Sequence, residues 1–184
     1  MHPLDNEALK QGAKAVRRRR LDAENRQDFI SLLGRIVVIL LCAWVLFTQV
    51  FLLTQAKGSS MFPAVKDGDL LICYRLQKTY AKNDVVVYTQ GGKLRVGRIL
   101  GREGDLVALD DSGTLVVNGA VQSGEILYPT YAKDVLEYPY TVPEGCFFVL
   151  GDYRTQSEDS RDFGPVPLED VQAKVITLLR RRSL

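Results

Sequence analysis

Ile36–Leu53 (IVVILLCAWVLFTQVFLL) carries no charge over eighteen residues and is interrupted only by Thr48 and Gln49. A helix rises ~1.5 Å per residue, so this run predicts roughly 27 Å of helix, close to the hydrocarbon thickness of a thin bilayer. Residues 29–55 are therefore read as a transmembrane signal-anchor, behind a polar tail (1–28) and ahead of a separate domain (56–184). A cleaved signal peptide or a buried soluble helix would show a similar run.

After residue 56 the pattern changes to short runs rich in β-branched and aromatic residues: Leu70–Tyr74, Val85–Tyr88, Leu94–Leu100, Leu106–Leu109, Leu115–Val117 and Cys146–Leu150. Turn signals separate them, at Lys66-Asp67-Gly68-Asp69, Gln90-Gly91-Gly92-Lys93, Asp110-Asp111-Ser112-Gly113 and Asn118-Gly119. This spacing predicts an all-β domain of antiparallel strands, a barrel or sandwich, behind one N-terminal transmembrane helix. Gly91-Gly92 suits a two-residue hairpin turn. Residues 120–142, with Gly124, Pro129, Pro139 and four tyrosines, read as a surface excursion, its tyrosines either packing the loop or forming a binding surface. Val175–Leu179 predicts a last strand, after which Arg180–Arg182 would meet water or lipid headgroups.

Charge orients the anchor. Residues 1–35 hold eight basic side chains, Arg17–Arg20 among them, against five acidic ones, whereas residues 57–184 are nearly neutral. The positive-inside rule then places the N-terminus in the cytoplasm and the β domain outside, and the neutral domain argues against nucleic acid as a partner. Cys73 and Cys146 sit in apolar runs and read as small core residues, and the sole histidine, His2, is far from any candidate site. A metal centre or a Ser/His triad is thus not expected, and no cofactor is implied.

Three segments carry chemistry. The first is Gly58-Ser59-Ser60-Met61-Phe62-Pro63, in which Ser60 is separated from the apolar run by six residues. The second is Gly151-Asp152-Tyr153-Arg154-Thr155-Gln156-Ser157-Glu158-Asp159-Ser160-Arg161. The third is Gly97-Arg98-Ile99-Leu100-Gly101-Arg102-Glu103-Gly104-Asp105. In their order along the chain they resemble the boxes of type I signal peptidases, membrane-bound serine proteases that remove signal peptides from exported proteins. The second matches the family's Gly-Asp-Asn-Arg-x-x-Ser-x-Asp-Ser-Arg at every fixed position except the asparagine, here Tyr153.

The resemblance implies that Ser60 is the nucleophile and its backbone N–H an oxyanion donor. Ser157 would orient the general base, Asp159 and Arg161 would form an ion pair beneath the site, and Asp152 and Arg154 would support the loop. Gly58, Ser59, Met61, Phe62 and Pro63 would border the substrate, although Met61, Phe62 and Val65 equally suit a buried turn. Gly58 stands where some members supply a second hydroxyl donor, which glycine cannot.

In the third box the family has a lysine, the general base, where this chain has Gly97. Lys93, four residues upstream, lies about 13 Å away along a strand at ~3.3 Å per residue, Arg95 is effectively never deprotonated, and Lys82 matches a segment with no catalytic role. Loss of the base in a comparable serine protease, subtilisin, costs ~10⁶ in rate.

Two readings follow. Either Ser60 cleaves exported precursors with an unusual base, or the domain binds them without cleaving; a membrane adaptor acting through residues 1–28 is a third. Chains similar to this family but lacking the catalytic pair are assembly helpers for surface pilins, acting with sortases. The expected partners are accordingly exported precursors or pilins, the lipid bilayer and, in the helper reading, a sortase. An extended connector would keep Ser60 within roughly 20 Å of the outer membrane surface, and substrate would bind as an added β-strand.

Overall fold

The computed structural model describes residues 3–122 and 128–180, with side chains from residue 27 onward. His2, Gly124, Arg181 and Arg182 lie outside the described residues, as do the side chains of the basic tail. The chain forms two compact units, residues 1–46 and 47–184.

The first unit consists of most of helix α1, Pro3–Val50, whose last four residues belong to the second unit. Its second half, Gln27–Val50, has a mean hydropathy of 2.5 and no buried residue in its most apolar stretch, which makes it long and apolar enough to cross a membrane. Phe29, Leu33, Ile39 and Trp44 are all more than half exposed. A helix with apolar residues on every side suits a membrane span or a buried core, and the side chains of this stretch are exposed.

Helix gives way to strand inside the apolar run. The helix stops at Val50, and Phe51–Gln55 is strand β1. Hydropathy alone does not distinguish helix from strand in an apolar run. Pairing decides, because Phe51 to Gln55 lie antiparallel to Tyr74 to Leu70, and the ladder is closed by Ala56 N–H to Asp69 O at 2.8 Å.

The second unit continues with β2 (Leu70–Tyr74), β3 (Val85–Gln90), β4 (Lys93–Arg102), β5 (Leu106–Leu109), β6 (Leu115–Val117), β7 (Ala120–Val121), β8 (Tyr140–Thr141) and β9 (Cys146–Leu150). The short helix α2 (Ser160–Phe163), β10 (Val166–Pro167) and β11 (Val171–Leu179) complete it. All pairings are antiparallel, in two sheets of order β1-β2-β11-β3-β4-β9-β10 and β7-β6-β5-β8. The antiparallel all-β expectation is met by two open sheets, not by a closed barrel.

Gly91 and Gly92 have φ of 57° and 73°, which is why glycine stands at both central positions of the β3–β4 turn. The Val85–Tyr88 run is continuous because both faces of β3 are covered. Val87 packs with Leu71, Cys73 and Met61 on one side, and Val86 and Tyr88 pack with Ile99 and Val149 on the other. β9 behaves likewise, with Phe147 and Val149 in the second cluster and Phe148 and Leu150 in a third, beneath the smaller sheet.

Candidate functional site

The turn carrying Ser60 is held from below. Met61 is 3% and Val65 4% exposed, both within the cluster around Val87. Gly58, at φ +80°, donates its N–H to Asp67 Oδ1 at 2.7 Å. Met61 is therefore packed as a core anchor beneath the turn. Phe62 is 36% exposed, its ring 6.0 Å from that of Tyr153, and neither Phe62 nor Pro63 lines the cleft described below. Ser59 and the half-buried Ser60 do line it, with Gly58. Among the described residues no hydrogen bond is made to the Ser60 hydroxyl.

The 151–161 segment docks against this turn through backbone. Tyr153 N–H donates to Ser60 O at 2.9 Å. Gly151 must be glycine: a β-carbon there would stand 2.5 Å from Ser60 O and 2.8 Å from Ser157 Oγ, and would run into Ser157 Cβ. Ser60 and Ser157 thus flank one glycine. Ser157 Oγ donates to Asp159 Oδ2 at 2.6 Å and accepts from Arg161 Nη2 at 3.2 Å.

Asp159 and Arg161 form a bidentate pair, Nε to Oδ1 and Nη2 to Oδ2 both at 2.9 Å, each about 1% exposed. Asp159 also caps α2 and accepts from Gly151 N–H at 3.2 Å, while Arg161 donates to Tyr131 O and Arg154 O. Arg154 is buried with Gly151 O and Thr130 Oγ1 as acceptors, and burial pulls its pKa down to about 10. Asp152 receives both nitrogens of the Arg98 fork, at 2.8 and 2.7 Å, tying this loop to β4.

Several of these partners carry no sequence signal. Lys133 Nζ donates to Ser157 O at 2.9 Å and to both Asp162 oxygens. The Tyr128 ring lies 4.5 Å from that of Tyr153. The stretch from Tyr128 to Lys133 therefore braces the Ser157 loop, with Tyr128 packed on Tyr153 and the Tyr131 side chain half exposed.

A cleft of about 920 Å³ opens beside Ser60. One wall includes Thr54 and Gln55 of β1, and the other Lys93 to Val96 of β4. Both walls present unpaired strand edges, since β1 ends its sheet and β9 pairs with β4 only from Arg98 onward. Lys57, Lys93, Arg95, Gln156 and Glu158 also line it. Lys93, remote from position 97 along the strand, thus shares a cleft with Ser60. Arg95 is engaged with Glu158 Oε2 at 2.6 Å and lies over the Phe163 ring at 5.7 Å.

Position 97 is full. A β-carbon on Gly97 would stand 2.5 Å from Val149 Cγ1, 3.2 Å from Tyr88 Cε1 and 3.4 Å from Leu150 O. Both neighbouring side chains are buried to within 1%. No group of three or more metal-ligating side chains occurs among the described residues.

Residues 29–179 match the family described as signal peptidase, peptidase S26. The chain belongs to this family. Among its relatives, signal peptidase I of Bacillus caldolyticus is 34% identical over 136 residues, covering 65% of this chain and 74% of the relative. Thylakoidal processing peptidase 1 of Arabidopsis thaliana is 28% identical over 135 residues, a match that spans only 39% of that protein. A solved signal peptidase I from Enterococcus faecalis is 32% identical, with a TM-score of 0.46 over 54% of this chain and 97% of its own. In this signal peptidase family member, the Ser60 turn and the buried Asp159–Arg161 pair are assembled around Gly151, while position 97 presents a packed glycine.

Proposed function

We propose that the protein is a membrane-anchored signal peptidase-like binder of exported precursors. It holds the signal-peptide region in the cleft beside Ser60, as a strand added between β1 and β4. Ser60 is the nucleophile that any hydrolysis would use. A lysine-based dyad at position 97 is absent, and loss of a general base removes most of the rate of such an enzyme. The observation that carries this reading is the filled space at Gly97 next to an open cleft. The basic tail directs α1 so that the β domain faces the extracytoplasmic side, where precursors emerge.

The test is a cleavage and crosslinking assay on the full chain in detergent, with a signal-peptide precursor bearing a photoreactive group near its cleavage region. Crosslinking without cleavage is expected. Cleavage that disappears in Ser60→Ala would overturn the binding-only reading and establish a protease with another base. Assistance to pilins alongside a sortase is a narrower form of the same reading, favoured by the filled position 97 alone.

A further inference from the structure

Resting on the reading that an extended peptide occupies this cleft, we infer that the cleft selects segments bearing acidic side chains. Three cations line it, Lys57, Lys93 and Arg95, against one anion, Glu158. Arg95 and Glu158 neutralise each other through a 2.6 Å ion pair. Lys57 and Lys93 remain: among the described residues neither ammonium has an ion pair. Asp67, whose Oδ1 accepts the Gly58 N–H, does not line the cleft.

The fold sets these two charges where an inserted strand would run. Lys57 follows the β1 wall by two residues, and Lys93 opens β4 at the Gly91-Gly92 turn. A peptide between the walls satisfies their free backbone groups and places alternate side chains ~3.3 Å per residue along the cleft. A cleft with an excess of one sign of charge concentrates counter-charged groups and repels like ones. A phosphate-bearing lipid headgroup would meet the lysines and leave both strand edges unpaired, so a peptide is the occupant the walls favour.

The experiment measures Kd for the full chain in non-ionic detergent by isothermal titration calorimetry. The probes are three alanine-serine octapeptides carrying two Glu, two Gln or two Lys residues at alternate central positions. The Glu peptide is expected to bind about tenfold more tightly than the Gln peptide, as two solvent-facing pairs would give. The Lys peptide should bind least. Lys57→Gln and Lys93→Gln should each remove about threefold of the advantage of the Glu peptide over the Gln peptide, and raising the salt should shrink that advantage. Equal affinities for all three peptides, or a preference for Lys, would overturn acidic selection while leaving strand binding intact. Binding of none of them would overturn the peptide-cleft reading itself.

Discussion

Val149 Cγ1 occupies the place of a β-carbon at position 97, 2.5 Å from where that carbon would stand. Val149 is fully buried, and its N–H is fixed by Ser160 Oγ at 2.9 Å, so the backbone behind it does not yield easily. Gly97→Ala should therefore destabilise the β domain by about 1–3 kcal/mol, the usual cost of overpacking a core. Thermal unfolding of the full chain in detergent measures this, with Gly101→Ala as a second crowded glycine on the same strand. A Gly97→Ala protein as stable as the parent would show that Val149 moves aside freely.

The same contact governs restoration of a lysine. Gly97→Lys alone should not create a cleaving enzyme, because its stem meets Val149 and Tyr88 before the ammonium reaches any hydroxyl. Gly97→Lys combined with Val149→Ala removes the closest obstacle. The pair should gain precursor cleavage that depends on Ser60, by a factor of at least ~10² if general-base catalysis is recovered. Cleavage by Gly97→Lys alone, at a level equal to the pair, would refute steric exclusion.

Much of this was legible in the sequence, and the exceptions are instructive. Leu106–Leu109, Leu115–Val117 and Cys146–Leu150 stand as strands at the expected residues, because alternation and turn residues are local properties. Phe51–Leu53 misled, since an apolar run beside a span differs from a strand only by having a partner. Gly97 announced a missing base, yet what fills the gap comes from Val149 and Tyr88, on strands paired to either side of β4. Met61 looked as suited to a substrate groove as to a core, and only the packing of Val87 beneath it decides. Lys133, 29 residues from its partner Asp162 on α2, leaves no pattern at all because a single lysine in a loop has no periodicity.

Acid should weaken the junction between the sheets through Asp105. Burial alone would raise its pKa. That effect is outweighed by hydrogen bonds from Arg102 N–H at 2.7 Å and Asn118 Nδ2 at 2.7 Å and by the Lys82 ammonium at 3.2 Å, so the pKa is lowered overall. A carboxyl whose pKa is lower in the folded state adds stability above its unfolded pKa of ~3.9 and loses it as pH falls through the folded value. The melting temperature should therefore fall on acidification below about pH 4, and Asp105→Asn should flatten that part of the profile while lowering stability at neutral pH. An unchanged acid limb in Asp105→Asn would assign it to other carboxylates.

Two neighbouring carboxylates beside Ser157 should behave in opposite ways. Glu158 is 67% exposed at its side chain and its pairing with Arg95 is screened by solvent, so Glu158→Gln should cost under about 1 kcal/mol. Asp159 is 1% exposed and neutralises Arg161 inside the protein while accepting from Ser157, Gly151 and the start of α2. Asp159→Asn leaves a guanidinium buried with only neutral acceptors, Tyr131 O, Arg154 O and Ser157 Oγ, and should cost about 3–5 kcal/mol. Limited proteolysis should show faster cutting near residues 128–133 in Asp159→Asn, since Arg161 ties Tyr131 to this loop. Comparable losses from the two substitutions would mean that Arg161 is satisfied by its carbonyl partners and that the ion pair contributes little to the Ser60–Gly151–Ser157 arrangement.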